Sequence, residues 1–127
     1  MKKSIVTMIA FGLLLVMCLS ACNQTQFPTG SFTHRSYGDF TRDYVLELSN
    51  DGTWTYLINQ EIVSFGTYSI QDNEFTFETD DYCDADQTGP ATYTWTFEDD
   101  VLYFEVKGVD TCNDRRIFMD HMRFEKQ

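Results

Sequence analysis

The stretch "ATYTWTFEDDVLYFEV", Ala91 to Val106, decides the fold. In its first half Tyr93, Trp95 and Phe97 take every second position, and Thr92, Thr94 and Thr96 take the positions between. Successive side chains of an extended strand point to opposite faces, so this spacing places three rings on one face and three hydroxyls on the other. The acidic break "EDD" follows, and "VLYFEV" resumes the extended pattern. Two strands joined by a connection this short form an antiparallel hairpin with one apolar face.

The same period of two runs outward in both directions. "YVLEL" puts Tyr44, Leu46 and Leu48 on one side, and "TWTYLI" does the same with Trp54, Tyr56 and Ile58 across the turn signal "SNDG". "FGTYSI" leads through "QDN" into "EFTFET", where Phe75 and Phe77 alternate with polar residues. With "GSFTHRS" as the opening strand and "IFMDHMRFE" as the closing one, the chain reads as about eight strands and no helix. Val63 and Phe65 fall out of phase with Tyr68 and Ile70, so a bulge is expected at Gly66. The class is all-β. Eight antiparallel neighbours, each with one apolar face, are best satisfied by a small closed up-and-down β-barrel, which also removes free sheet edges. A two-sheet β-sandwich is the alternative.

In an up-and-down barrel alternate connections lie at opposite ends. The second, fourth and sixth, "SNDG", "QDN" and "EDD", are short; the first, fifth and seventh, "YGDFTRD", "DDYCDADQTGP" and "KGVDTCNDRR", are long. One end is therefore closed by tight turns and the other carries the loops. Cys83 and Cys112 lie in the fifth and seventh connections, so the barrel brings both to the loop-rich end. Neither sits in a CxxC motif, and outside the cytoplasm such a pair reads as a disulfide.

That compartment follows from the first residues. Lys2 and Lys3 precede an apolar run from Ile5 to Leu19, closed by Ser20 and Ala21. The run is shorter than the roughly 20 residues that cross a bilayer with ease, and the charged start and small-residue end mark a secretory signal. "LSAC", Leu19 to Cys22, resembles the lipobox of bacterial lipoproteins. The resemblance implies cleavage before Cys22, a diacylglycerol on its thiol and usually an acylated new amino terminus. The organisation is then 1–21 signal peptide, 22–29 tether and 30–127 barrel domain. At about 0.8 kcal/mol per buried methylene, two or three acyl chains anchor the protein without a span. The location implied is the extracytoplasmic face of a cell membrane or outer membrane.

Cleavage removes both signal lysines, taking the net charge from −11 to −13. Such a surface repels nucleic acid and anionic headgroups, which excludes both as partners by charge. Catalytic material is poor: His34 and His121 are the only histidines, and neither is placed in a nucleophile motif. The reading is of a non-enzymatic protein with no cofactor. The most metal-like string is "DADQTG", where Asp84, Asp86 and Thr88 lead to Gly89 as at the front of a calcium loop, with Asp80 and Asp81 nearby. The glutamate expected at the twelfth position is absent, that position being Trp95. A solvated acidic loop is the simpler reading. Trp54, Tyr56, Tyr93, Trp95 and Phe97 fall on inward faces, where they either line a cavity for an apolar ligand or fill the barrel. Arg115 and Arg116, between Asp110, Cys112 and Asp114, either orient a polar ligand group or hold a loop in a salt-bridge network.

"GSF" at the start of the first strand resembles the G-x-W opening of lipocalins, with Phe32 at the tryptophan position, and Arg123 matches the arginine that packs across that aromatic. "TYTW…LYFEV…DTCNDR" is similar to small exported bacterial lipocalin-like (calycin-type) proteins. The resemblance implies a barrel with a ligand-binding interior. The expectation is an exported, lipid-anchored barrel binding a small, mostly apolar molecule; the rival is an interaction module with a filled barrel that meets another envelope protein. Replacing Cys22 with serine should abolish incorporation of labelled palmitate and block cleavage before residue 22. Labelling that persists in Cys22→Ser would remove the lipoprotein reading.

Overall fold

A computed structural model describes residues 26–36, 42–83 and 89–127. Eight antiparallel strands close into a barrel in chain order: β1 (Gly30–Ser36), β2 (Arg42–Leu48), β3 (Thr53–Ile58), β4 (Glu61–Gln71), β5 (Glu74–Phe77), β6 (Ala91–Glu98), β7 (Val101–Lys107) and β8 (Arg123–Lys126). Closure is made by β8 pairing with both β7 and β1, which excludes the sandwich. The signal peptide, Cys22 and the first residues of the tether lie outside the described residues, as do Asp84, Asp86 and Thr88. Among the described residues no helix is long and apolar enough to cross a membrane.

The period of two is realised in the register. Tyr93, Trp95 and Phe97 pair with Val106, Phe104 and Leu102 across the β6–β7 hairpin. On the outer face of β6, Thr92 shares a hydroxyl hydrogen bond of 2.9 Å with Thr76 of β5. The turns at Asn59-Gln60 and Asp99-Asp100 have positive φ at both central residues, the twist that two-residue hairpins require.

Rings fill the lower barrel. Phe32, Phe75, Phe77, Tyr93, Phe104 and Phe124 are essentially fully buried, each contributing roughly 1.5–3 kcal/mol over an exposed position. Phe75 sits at their centre, stacked on Tyr68 at 4.8 Å and edge-on to Phe77 and Phe104 at 4.7 and 5.2 Å. The closed end is sealed from below by Phe27, whose ring meets Tyr68, Phe75 and Trp95 at 5.0–5.7 Å. Phe27 and the buried Pro28 therefore belong to the core, and the expected tether of 22–29 stops short of them.

Four local expectations are corrected. The seventh connection contains a helix, α1 (Asn113–Met119), so the last strand is only Arg123–Lys126. Ile117 and Met119 had suggested extended alternation, but the buried pair Arg115 and Met119 is spaced four apart, one helical turn. The bulge falls at Val63, where Tyr56 faces Ser64 while Leu57 faces Ile62. Arg123 does not lie across Phe32: it is exposed and opposite Tyr103, and Phe32 is opposite Lys126, whose ammonium sits 5.9 Å over Phe97.

Gly66 is in phase, and its role is close approach. A Cβ there would lie 1.9 Å from the Thr79 carbonyl oxygen and 3.0 Å from Trp54 Nε1, two groups that hydrogen-bond each other at 3.2 Å. The absent side chain lets the chain after β5 turn inward over the barrel. Gly66→Ala should destabilise the fold by about 1–3 kcal/mol, the range for overpacking, seen as a lower urea midpoint at unchanged slope. A midpoint equal to that of the parent protein would contradict this account.

Candidate functional site

The loop-rich end is closed by a buried network built from both long connections. Asp80, in the segment that Gly66 admits, is buried with one oxygen accepting from Ser64 Oγ at 2.7 Å and from the Tyr82 and Cys83 amides at 3.1 and 3.2 Å. Asp110, after β7, accepts from the Cys112 amide at 2.9 Å and from the Tyr93 hydroxyl at 2.6 Å. Arg115 on α1 lies between them. Its Nε and Nη2 grip Asp110 at 2.7 and 2.8 Å, its Nη1 reaches Asp80 at 3.3 Å and Nη2 also reaches the Gly89 carbonyl. The guanidinium lies 5.5 Å over the Phe77 ring. Cys83 and Cys112 are joined with their Cα atoms 5.8 Å apart, tying together the two connections that the barrel topology brings to one end.

The electrostatics follow from this geometry. Burial alone would raise the Asp110 carboxyl, but hydrogen bonds from Arg115, Tyr93 and the Cys112 amide, with the guanidinium charge, outweigh it and hold Asp110 below the ordinary aspartate value. Burial would lower Arg115, yet the hydrogen bond and charge of Asp110, with the charge of Asp80, hold it above the ordinary arginine value. Burial and then the Asp110 hydrogen bond push the Tyr93 hydroxyl up, so it stays protonated as a donor.

Above this network, between the upper ends of β3 and β4 and α1, lies a pocket of about 230 Å³. Its floor and walls are Trp54, Tyr56, Ile58 and Phe77 from the barrel and Phe118 and Met119 from α1, with Val63 brought in by the bulge. Asp80, Asp114 and Tyr82 contribute at its polar margin. Tyr56 is 5% exposed, and among the described residues its hydroxyl has no hydrogen-bond partner. Burial, with a smaller effect from Tyr44, pushes that hydroxyl well up, so it is a neutral donor and acceptor.

Of the six residues expected to meet a ligand, the structure brings Trp54, Tyr56 and Arg115 to this pocket. Tyr93 is committed to Asp110, Trp95 packs under Phe27 at the closed end, and Phe97 packs edge-on to Phe32 at 6.2 Å. Arg115 is a network residue rather than a free clamp, and Arg116 is exposed, held by Asn113. Asp80 and Asp81 both accept hydrogen bonds, Asp81 from Ser64 Oγ and the Phe65 amide. Among the described residues no three His, Cys, Asp or Glu side chains come together to hold a metal ion. Sequence reading missed Phe118 and Met119. Their signal was the helical spacing of three and four from Arg115, hidden by reading that stretch as a strand.

No protein-family model, curated protein or solved structure matches the chain.

A carboxyl held below its unfolded value contributes stability above that value, near pH 3.9, and loses it as the pH falls through the lower folded value. Asp110→Asn should therefore cost about 3 kcal/mol at neutral pH, the low end for breaking a buried pair. The gap from the parent protein should narrow as acid protonates Asp110. Urea unfolding of both proteins at a series of pH values measures it; a gap that stays constant from pH 7 to pH 2 would contradict the assignment.

Proposed function

We propose that this protein is an exported, lipid-anchored, lipocalin-like barrel that binds a small, mostly apolar molecule without transforming it, in the mouth pocket rather than deep in the lumen. The observation that carries the reading is the Tyr56 hydroxyl. A buried hydroxyl without a partner costs about 1–3 kcal/mol, and among the described residues this one has none, on a side chain that lines a largely apolar recess. A ligand with one polar group would recover that cost while its apolar part covers Trp54, Ile58 and Phe118. At about 230 Å³ the pocket lies below the ~300–1,000 Å³ of drug-sized sites, so the ligand is small. An anchor at Cys22 precedes Phe27 and so attaches at the closed end, leaving the pocket facing away from the membrane.

The rival reading, an interaction module for an envelope protein, draws on a different observation. Ile62, Phe65, Tyr82 and Ile117 are more than half exposed around the mouth, the kind of apolar rim that partner proteins cover.

The binding reading is tested in a Trp95→Phe background, where Trp54 is the remaining indole. A panel of small hydrophobic compounds should give a saturable change in its fluorescence. Adding Tyr56→Phe should weaken the best polar-headed ligand about five- to tenfold, one hydrogen bond's worth, while stabilising the unliganded protein by about 1 kcal/mol. No saturable change across the panel would leave the interaction module as the better account.

A further inference from the structure

The charge and the rings around the pocket say more about its occupant than its volume does. Three carboxylates, Asp80, Asp110 and Asp114, stand at or just beneath it, against one cation, Arg115. That cation is already spent: its fork is taken by Asp110, Asp80 and the Gly89 carbonyl, and its face lies over Phe77. The local balance is thus negative, and among the described residues no other Lys, Arg or His side chain lines the pocket. Around the same space stand Trp54, Tyr56, Phe77, Tyr82 and Phe118. Phe118 tilts against Tyr56 at 5.6 Å and Trp54 is edge-on to Phe77 at 5.0 Å, so the rings form walls rather than one flat stack. The charge of Asp114 pushes the Tyr82 hydroxyl up, and both residues stand at the pocket's margin.

Ring faces carry negative electrostatic potential, and several of them around one point form a cage for an organic ammonium. Such a cation has apolar carbons to bury and a diffuse charge that needs no full set of hydrogen bonds. We infer that the pocket selects a small organic cation, an alkylammonium held among Trp54, Tyr56 and Phe118 with Asp114 at its margin. The inference rests on the mouth pocket being a ligand site and specifies the class of ligand. Tyr56 fits such a molecule through its ring, which faces the cation, and through its hydroxyl, which can exchange a hydrogen bond with a hydroxyl or carbonyl on the ligand. A carboxylate of the same shape would meet Asp80 and Asp114 with no free cation to offset them.

The test uses three water-soluble compounds of nearly one shape: choline, its uncharged carbon analogue 3,3-dimethyl-1-butanol, and the anion 3,3-dimethylbutyrate. Each is titrated into the full chain in maltoside detergent, following the Trp54 indole N–H by NMR. Choline should bind about tenfold more tightly than the alcohol, within the range of a desolvated cation–π site, and the butyrate should bind weakest. Phe118→Leu, which keeps apolar bulk but removes a ring, should lower choline affinity about fivefold and leave the alcohol within twofold. Asp114→Asn, at the margin and outside the Asp110–Arg115 grip, should shift the same ratio in the same direction. Equal or tighter binding of the alcohol or the butyrate overturns the inference while the pocket remains a ligand site. No shift with any of the three also overturns it, and the fluorescence panel then decides separately whether the pocket takes an uncharged molecule.

Discussion

The two-point grip of Arg115 on Asp110 sets the constraint from which the loop-rich end is built. A guanidinium leaves water only if its donors are met, and a carboxylate only if its lone pairs are met. Here the Arg115 side chain is 4% exposed and that of Asp110 is not exposed at all. The donors point in fixed directions, so Asp110, Asp80 and the Gly89 carbonyl must each arrive from their own segment at set positions. Asp80, Gly89 and Asp110, drawn from two long connections, are thereby held at fixed places over the barrel. The disulfide restates the same condition covalently, since Cys112 lies two residues from Asp110 and Cys83 three from Asp80. By loop entropy alone it is worth roughly 3–4 kcal/mol, but it is the polar network that fixes the depth at which the loops sit.

That depth decides whether the barrel has room for anything. From the closed end, Phe27 and the rings around Phe75 fill the lumen to the level of Phe77. From the other end, the network settles onto the face of Phe77 through Arg115. Filled or lined was the choice the alternating aromatics left open, and the structure divides the lumen between them. The lower part is filled, and the recess that survives lies to one side, under α1. A helix rather than a strand in the seventh connection is essential here, because it alone carries Phe118 and Met119 to the pocket.

The legible parts of the sequence were those where one local rule acted alone. Tyr93, Trp95 and Phe97 against three threonines could only be a half-buried strand, and the pattern of short and long connections placed Cys83 and Cys112 together. The short polar turns gave the closed end for the same reason. The site was less legible because its residues satisfy several demands at once. Arg115 reads as a loop brace or, less simply, as a ligand clamp until Asp80, 35 residues earlier, is seen beside it. Phe118 lies in a stretch whose alternation of apolar residues imitates a strand, and a seven-residue helix is too short for its own period to assert itself. Gly66 announced an irregularity, but the cause was a carbonyl from another segment, which no local pattern encodes.

The departures from regular structure are not spread evenly. The bulge at Val63, the glycine at 66 and the hydroxyl of Tyr56, partnerless among the described residues, all lie on the β3–β4 hairpin. Each is locally unfavourable: a broken ladder, a residue with excess backbone freedom, an unmet hydroxyl. Sequences accumulate such costs where structure serves something other than itself. Among the described residues a second buried side-chain polar atom without a partner, Trp95 Nε1, sits at the opposite end against Phe27 and has a packing explanation, since a large ring is needed there to close the barrel. Tyr56 has no such excuse, because phenylalanine would fill the same space without burying a hydroxyl. Together the bulge turns an apolar side chain toward the recess, the glycine admits the segment that carries Asp80, and the hydroxyl waits between them. Of the three, the unmet hydroxyl is the one that selection for stability alone would have removed, since the glycine is needed where the Thr79 carbonyl approaches.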